Sequence, residues 1–264
     1  MALNLSVEEA GSGPALVLVH GSWDDRHVWD LVKEDIAQAF HVVSYDRRGH
    51  GESQDEPEPG TRRDDEDDLA GVIESLVLAP ANVVGNSFGG SIALGLAARR
   101  PELFGSLCVH EPPLLTLAAG DGALAEIEQA VRAVLDLIDQ REHEAAARDF
   151  VENVALGPGA WQMLSPQERA TMAAHAPTFA GEQRDRAWAD IDLDALGALD
   201  LPVLLTQGDQ SPSFFSTVVA RLSDSIDRAE VRTLPGVGHV PHVTHPQVYA
   251  AVVTGFVGDQ TALH

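Results

Sequence analysis

The 264 residues carry 41 acidic against 17 basic side chains, for a formal charge of −24, and 44% of them are hydrophobic. A surface so acidic repels phosphate backbones and anionic lipid, which argues against nucleic acid and membranes as partners. The length suits one domain with room for an insertion, and a single cysteine, Cys108, allows no intrachain disulfide, which fits a reducing cytoplasm.

Short apolar runs alternate with helical patterns along the chain. The expected strands are Leu3–Glu8, Ala15–His20, His41–Asp46, Ala81–Gly85, Ser106–Glu111, Val203–Gly208 and Glu230–Leu234. Helical periodicity falls near Val28–Ala39, Arg62–Leu78, Phe88–Arg99, Ser216–Leu222 and Gln247–Val257. This alternation predicts a mostly parallel sheet covered on both faces. The acidic run Asp64–Asp68 reads as the water-facing first turn of a helix, complementing its dipole, rather than as a metal site. Cys108 sits in an apolar run and reads as a buried filler. The N-terminus shows no charged segment followed by an apolar stretch, so no signal peptide is expected, and no apolar run is long enough to span a bilayer.

Between Pro113 and about Gly197 the strand signal vanishes. Helical patterns there cover Leu124–Gln140, Glu142–Leu156 and Pro166–Ala174, with breaks at Gly157-Pro158-Gly159 and near Pro177. The expected organisation is a core of residues 1–113 and 197–264 with a helical cap over 114–196. Trp161, Met163, Phe179 and Trp188 are the cap's large apolar side chains. Trp161, Phe179 and Trp188, with Trp23 from the core, are candidate pocket residues, although each could equally serve only to hold cap and core together.

The chemistry centres on Gly85-Asn86-Ser87-Phe88-Gly89-Gly90, a G-x-S-x-G turn between a strand and a helix. Such a turn exposes the serine at the end of the strand, and its glycines allow close packing where side chains would clash. Ser87 is therefore the candidate nucleophile. Glu111, Asp209 and His239 also fall at or just beyond strand ends, where open α/β sheets bind ligands.

Taken in order, His20-Gly21, Asp46 to Ser53, the Ser87 turn, Leu201-Pro202-Val203 with Gly208, and Gly236-Val237-Gly238-His239 with Pro246 make the chain resemble the α/β-hydrolase family over nearly its whole length. The family's opening hairpin looks trimmed, with room for one strand before Gly11. The resemblance implies that Ser87 attacks, that His239 is the general base, and that the N–H groups of Ser22 and Phe88 form the oxyanion hole. His242 and His245 then read as loop or pocket-rim residues. A cap after the sixth strand of the family's count is also implied.

The acid departs from the usual pattern. Where the family carries Gly-x-x-Asp after the seventh strand, this chain has Gly208-Asp209-Gln210-Ser211. Ser211-Pro212 reads instead as a helix N-cap followed by proline. Two carboxylates could replace the missing one. Asp209 is close in sequence but points elsewhere on a strand end. Glu111 ends the strand Ser106–Glu111, the sixth in the family's count, and can reach the same imidazole from the neighbouring strand. Glu111 is favoured. A Glu there, with the His-Glu-x-Pro and Thr244-His245-Pro246 stretches, resembles the zearalenone-lactonase-like subgroup.

The expected activity is hydrolysis of a carboxylic ester or lactone of a small, largely apolar molecule through an acyl-enzyme, with no cofactor and no metal. A dehalogenase would need an Asp where Ser87 stands. The Gly-Asn-Ser-x-Gly-Gly turn also resembles that of carbon–carbon bond hydrolases, and cofactor-free perhydrolase or haloperoxidase chemistry uses the same triad. A hydrolase-fold small-molecule receptor would keep these residues too.

Overall fold

The computed structural model describes residues 5–53 and 60–261. Seven strands form one sheet: β1 (Val7–Gly11), β2 (Ala15–Val19), β3 (His41–Tyr45), β4 (Ala81–Asn86), β5 (Phe104–His110), β6 (Val203–Gly208) and β7 (Ala229–Leu234). Their spatial order is β1-β3-β2-β4-β5-β6-β7. Only β1 runs antiparallel, against β3, and every other pairing is parallel. Leu3 and Asn4 of the expected first strand lie outside the described residues, and the strand begins at Val7.

Period-2 alternation divides the sheet's apolar side chains between its two faces. Val17, Val43, Val83, Leu107 and Leu205 pack with α2 (Arg62–Ser75), α3 (Phe88–Arg99) and α9 (Ser213–Ser225). Leu16, Val42, Val84, Cys108 and Leu204 pack on the opposite face against α1 (Asp30–Ile36) and α11 (Pro246–Thr261). Covered on both sides, β4 is buried at every residue. The turn after it therefore reaches a cavity only at its tip.

The segment between β5 and β6 folds as helices: α4 (Leu124–Asp139), α5 (His143–Phe150), α6 (Ala160–Met163), α7 (Pro166–Arg184) and α8 (Leu193–Gly197), with a π-helical turn at Val151–Ala155 after α5. Helices α4 to α7 share an apolar cluster that includes Val134, Ile138, Ala147, Trp161 and Phe179 and also takes in Trp23, whereas Leu196 of α8 packs with the sheet. A short helix α10 (Pro241–Thr244) precedes α11.

The break expected near Pro177 does not occur, since α7 continues through it to Arg184. Interior proline removes a helical hydrogen bond, but tertiary contacts hold the helix on both sides of it. The Gly51 N–H donates to His175 Nε2 (3.0 Å), His175 Nδ1 donates to the Trp23 carbonyl (2.9 Å), and Thr178 Oγ1 donates to the Gly49 carbonyl (3.0 Å).

The acidic run at the start of α2 does not simply face water. Asp64 closes a capping box with Thr61. Asp65, Glu66 and Asp68 are buried, and each pairs with arginine: Arg47, Arg62 with Arg99, and Arg48 respectively. Periodicity hid this because Arg47, Arg48 and Arg99 lie outside α2. Among the described residues no helix is long and apolar enough to cross a membrane.

Candidate active site

Ser87 stands between β4 and α3 at φ 53° and ψ −125°, a backbone state that L-residues rarely adopt. Its N–H is bonded to the His110 carbonyl on β5 (2.9 Å), which anchors the turn to the neighbouring strand. Close packing holds the conformation. A Cβ on Gly89 would lie 2.2 Å from the Val19 carbonyl oxygen, and one on Gly85 would lie 2.5 Å from that of Gly89. A side chain at either position would force β2, β4 and α3 apart.

Glu111 follows β5 directly and also has a positive φ, 44°. Its carboxylate is fully buried and its polar contacts are well defined. Oε2 lies 2.8 Å from His239 Nδ1 and accepts from Ser211 Oγ (2.9 Å), while Oε1 accepts from the Gly208 N–H (2.7 Å). Burial pushes the carboxyl towards its neutral form. The hydrogen bond and charge of His239, with His110 and the Gly208 N–H, outweigh burial and hold its pKa below the ordinary value. Asp209 faces away from the imidazole and accepts from the Gly236 N–H (2.7 Å), fixing the turn that precedes His239. Ser211 is no helix cap, because α9 starts two residues later after Pro212. Its hydroxyl serves the carboxylate instead.

Three contacts orient His239. Asn86 Nδ2 donates to its carbonyl (3.0 Å), His110 Nε2 donates to the Gly238 carbonyl (3.2 Å), and the Phe215 ring stacks on the imidazole with centroids 4.5 Å apart. Thr206 Oγ1 meets the other nitrogen of His110 at 2.9 Å. Burial, with the nearby His239 charge, lowers the His110 pKa to about 4 despite Glu111, so His110 is neutral.

Ser87 and His239 open into one cavity of about 70 Å³. Ser22 and Phe88 line it, and Phe88 is the first residue of α3, where a backbone N–H has no intrahelical partner. Its walls are mainly apolar, including Leu115, Ile127, Val131, Phe179, Trp188 and Phe214. Besides Ser22, Ser87 and His239, the polar side chain on the wall is Gln183, and no Lys or Arg among the described residues lines it. Among the large apolar candidates, Phe179 and Trp188 line the cavity, whereas Trp23 and Trp161 do not. Trp23 is buried between Phe150 and Phe179, with centroids 5.0 and 4.9 Å away. Trp161 is buried in the helical insert beneath the Arg169 guanidinium. Sequence periodicity could not separate these roles, because whether a large apolar side chain meets the cavity or the interior is set by residues distant in sequence.

His242 is not a rim residue. It is fully buried, 4.5 Å from the Trp29 ring, and neither ring nitrogen has a hydrogen-bond partner among the described residues. Burial lowers its pKa to about 3.

A mostly parallel sheet with a serine turn, a histidine loop and an apolar cavity at its strand ends defines an α/β hydrolase. Residues 16–252 match the alpha/beta hydrolase family, and the chain belongs to that family. It is 28% identical over 276 residues to 2-hydroxymuconate semialdehyde hydrolase of Pseudomonas sp. (strain CF600), covering 98% of this chain and 92% of that protein. It is 27% identical over 259 residues to pimeloyl-[acyl-carrier protein] methyl ester esterase of Chromobacterium violaceum, covering 98% and 100%. A crystal structure of an alpha/beta hydrolase from Sphaerobacter thermophilus superposes with a TM-score of 0.80 at 29% identity, covering 96% of each chain.

Proposed function

We propose that this hydrolase cleaves a carboxylic ester or lactone of a small, largely apolar substrate through an acyl-enzyme on Ser87. The observation that carries the reading is the Glu111–His239 contact of 2.8 Å beside the strained Ser87 turn, at the mouth of an apolar cavity. His239 Nε2 takes the Ser87 proton as Oγ attacks the carbonyl carbon. Glu111 fixes the Nδ1–H tautomer and stabilises the imidazolium that forms. The N–H groups of Ser22 and Phe88 receive the developing oxyanion. His239 then returns the proton to the leaving alcohol, and water repeats the sequence in reverse to release the acid.

A cavity of this size accepts a short acyl group before the helical insert must shift. With no Lys or Arg on its wall among the described residues, a neutral acyl part is favoured over a carboxylate. An acid supplied from the end of β5 also supports kinship with the lactonase-like subgroup, so lactones belong in the substrate screen. The helical insert over residues 114–196 would act as the cap. The single buried Cys108 fits a reducing cytoplasm.

A second reading, carbon–carbon bond hydrolysis, is supported by the Gly85-Asn86-Ser87 turn and by the likeness to 2-hydroxymuconate semialdehyde hydrolase. The uncharged wall weighs against the anionic substrate that this name describes. Repeated turnover of p-nitrophenyl butyrate, with the acyl group trapped on Ser87 by rapid quench, supports the ester reading. Cleavage of a vinylogous diketone without ester turnover would favour the second. A single turnover followed by a stall would point to a receptor.

A further inference from the structure

Arg47 lies fully inside the protein beneath the loop that carries Ser22, and it faces two buried carboxylates. Asp65 of α2 accepts from Nε and Nη2 at 3.1 Å each, an ion pair complete within the core. Glu182 of α7 adds a second carboxylate, its Oε1 2.7 Å from Nη2. Exposures of 1% for Arg47, 3% for Asp65 and 2% for Glu182 put all three out of water. A second buried acid on an arginine already neutralised carries a desolvation cost with little expected gain in stability. Its other contacts supply a different rationale.

Glu182 Oε2 accepts from Ser22 Oγ at 2.5 Å. Arg47 Nη1 donates to the Gly21 carbonyl at 3.0 Å, immediately before Ser22. The same guanidinium lies 4.8 Å from the centroid of the Phe88 ring. The backbone N–H of Arg47 donates to His20 Nε2 (3.0 Å), and His20 Nδ1 donates to the Gly21 carbonyl (2.9 Å). The two residues whose N–H groups would form the oxyanion hole are thus both held by one ion cluster, one of whose three members, Glu182, comes from the helical insert. Gln183, the next residue of α7, lines the cavity.

We propose that Glu182 and Arg47 are positioning residues that assemble the oxyanion hole when α7 seats on the core. Glu182 sets the Ser22 side chain, and Arg47 sets the Gly21 peptide and the Phe88 ring. Docking of the insert and alignment of the hole are then a single event. The inference rests on Ser87 being the nucleophile.

The test compares wild type with Glu182→Gln, which keeps the shape but offers one acceptor oxygen where two are used. Steady-state kinetics use p-nitrophenyl butyrate. Binding uses butyl trifluoromethyl ketone, which adds to Ser87 as a hemiketal oxyanion. The expected result is a fall in kcat of about 10- to 100-fold with KM within about twofold, and a matching loss of ketone affinity. A change confined to KM, or no change in either measurement, overturns the proposal. If Glu182→Gln does not fold, Ser22→Ala decides. It keeps the backbone N–H and removes the hydroxyl that bonds Glu182, so a parallel fall in kcat and ketone affinity supports the proposal, and unchanged values overturn it. A wild-type protein that a serine-directed phosphonate fails to label at Ser87 would sink the serine-hydrolase reading itself. A labelled, active enzyme indifferent to these substitutions would sink only the positioning role.

Discussion

The Glu111 carboxylate reaches His239 Nδ1 at 2.8 Å from the end of β5, while Asp209, beyond β6, is bonded to the Gly236 N–H. Glu111→Gln is expected to lower kcat by about 10³- to 10⁴-fold, because an amide can hold the imidazole in the wrong tautomer. Asp209→Asn should cost less than about tenfold, since the side chain only shapes the turn before His239. Kinetics on p-nitrophenyl butyrate, with circular dichroism to confirm folding, check both. Comparable losses in the two variants would remove Glu111 from the proposed triad.

Ser87→Ala should abolish turnover by about a thousandfold or more, because residues of a triad act as a unit. Mass spectrometry after treatment with a serine-directed phosphonate should find the adduct on Ser87 alone in wild type and nowhere in the variant. Labelling elsewhere with retained activity would contradict the acyl-enzyme.

The aromatic residues of the insert should separate by role. Phe179→Ala and Trp188→Ala open the cavity wall and should shift preference towards longer p-nitrophenyl esters. Trp161→Ala removes a side chain buried away from the cavity, so stability should fall by about 3–5 kcal/mol while chain-length preference stays unchanged. Urea denaturation and an ester series from acetate to octanoate measure the two effects.

Stability should decline in mild acid. His110 and His242 are buried and neutral, with pKa values lowered to about 4 and about 3, mainly by burial. In the unfolded chain each titrates near ~6.5. Between these values the unfolded state binds protons that the native state does not, so stability is complete above ~6.5 and is lost as pH falls. At pH ~5 each imidazole should cost about 2 kcal/mol relative to neutral pH. His242→Phe, stacking on Trp29 in its place, should keep activity and narrow the gap in Tm between pH ~7.5 and ~5 by about 5 °C. An unchanged gap would mean that His242 is not held neutral by the fold.

The strands and the Ser87 turn were legible in the chain because their signals are local. A fully buried parallel strand is an unbroken apolar run, as at Ala81–Val84, and the turn after it needs Gly85 and Gly89 to clear neighbouring backbone. Local pattern also brought Glu111 and His239 to the ends of β5 and β7, the strands on either side of β6. Reach along the strands favoured Glu111 over Asp209, but the rotamer that turns its carboxylate towards the ring depends on donors such as the Gly208 N–H and the Ser211 hydroxyl, which sequence does not place. Long-range partners decided the rest. Asp65, Glu66 and Asp68 are buried because arginines arrive from other elements, and α7 runs through Pro177 because His175 and Thr178 are bonded to the core. The same holds for Trp23 and Trp161, packed in the interior of the insert, and for Glu182 against Ser22 and Arg47. Periodicity reports which face of an element is apolar, whereas the partner that covers a face or neutralises a charge comes from residues distant in sequence, so only tertiary packing specifies it.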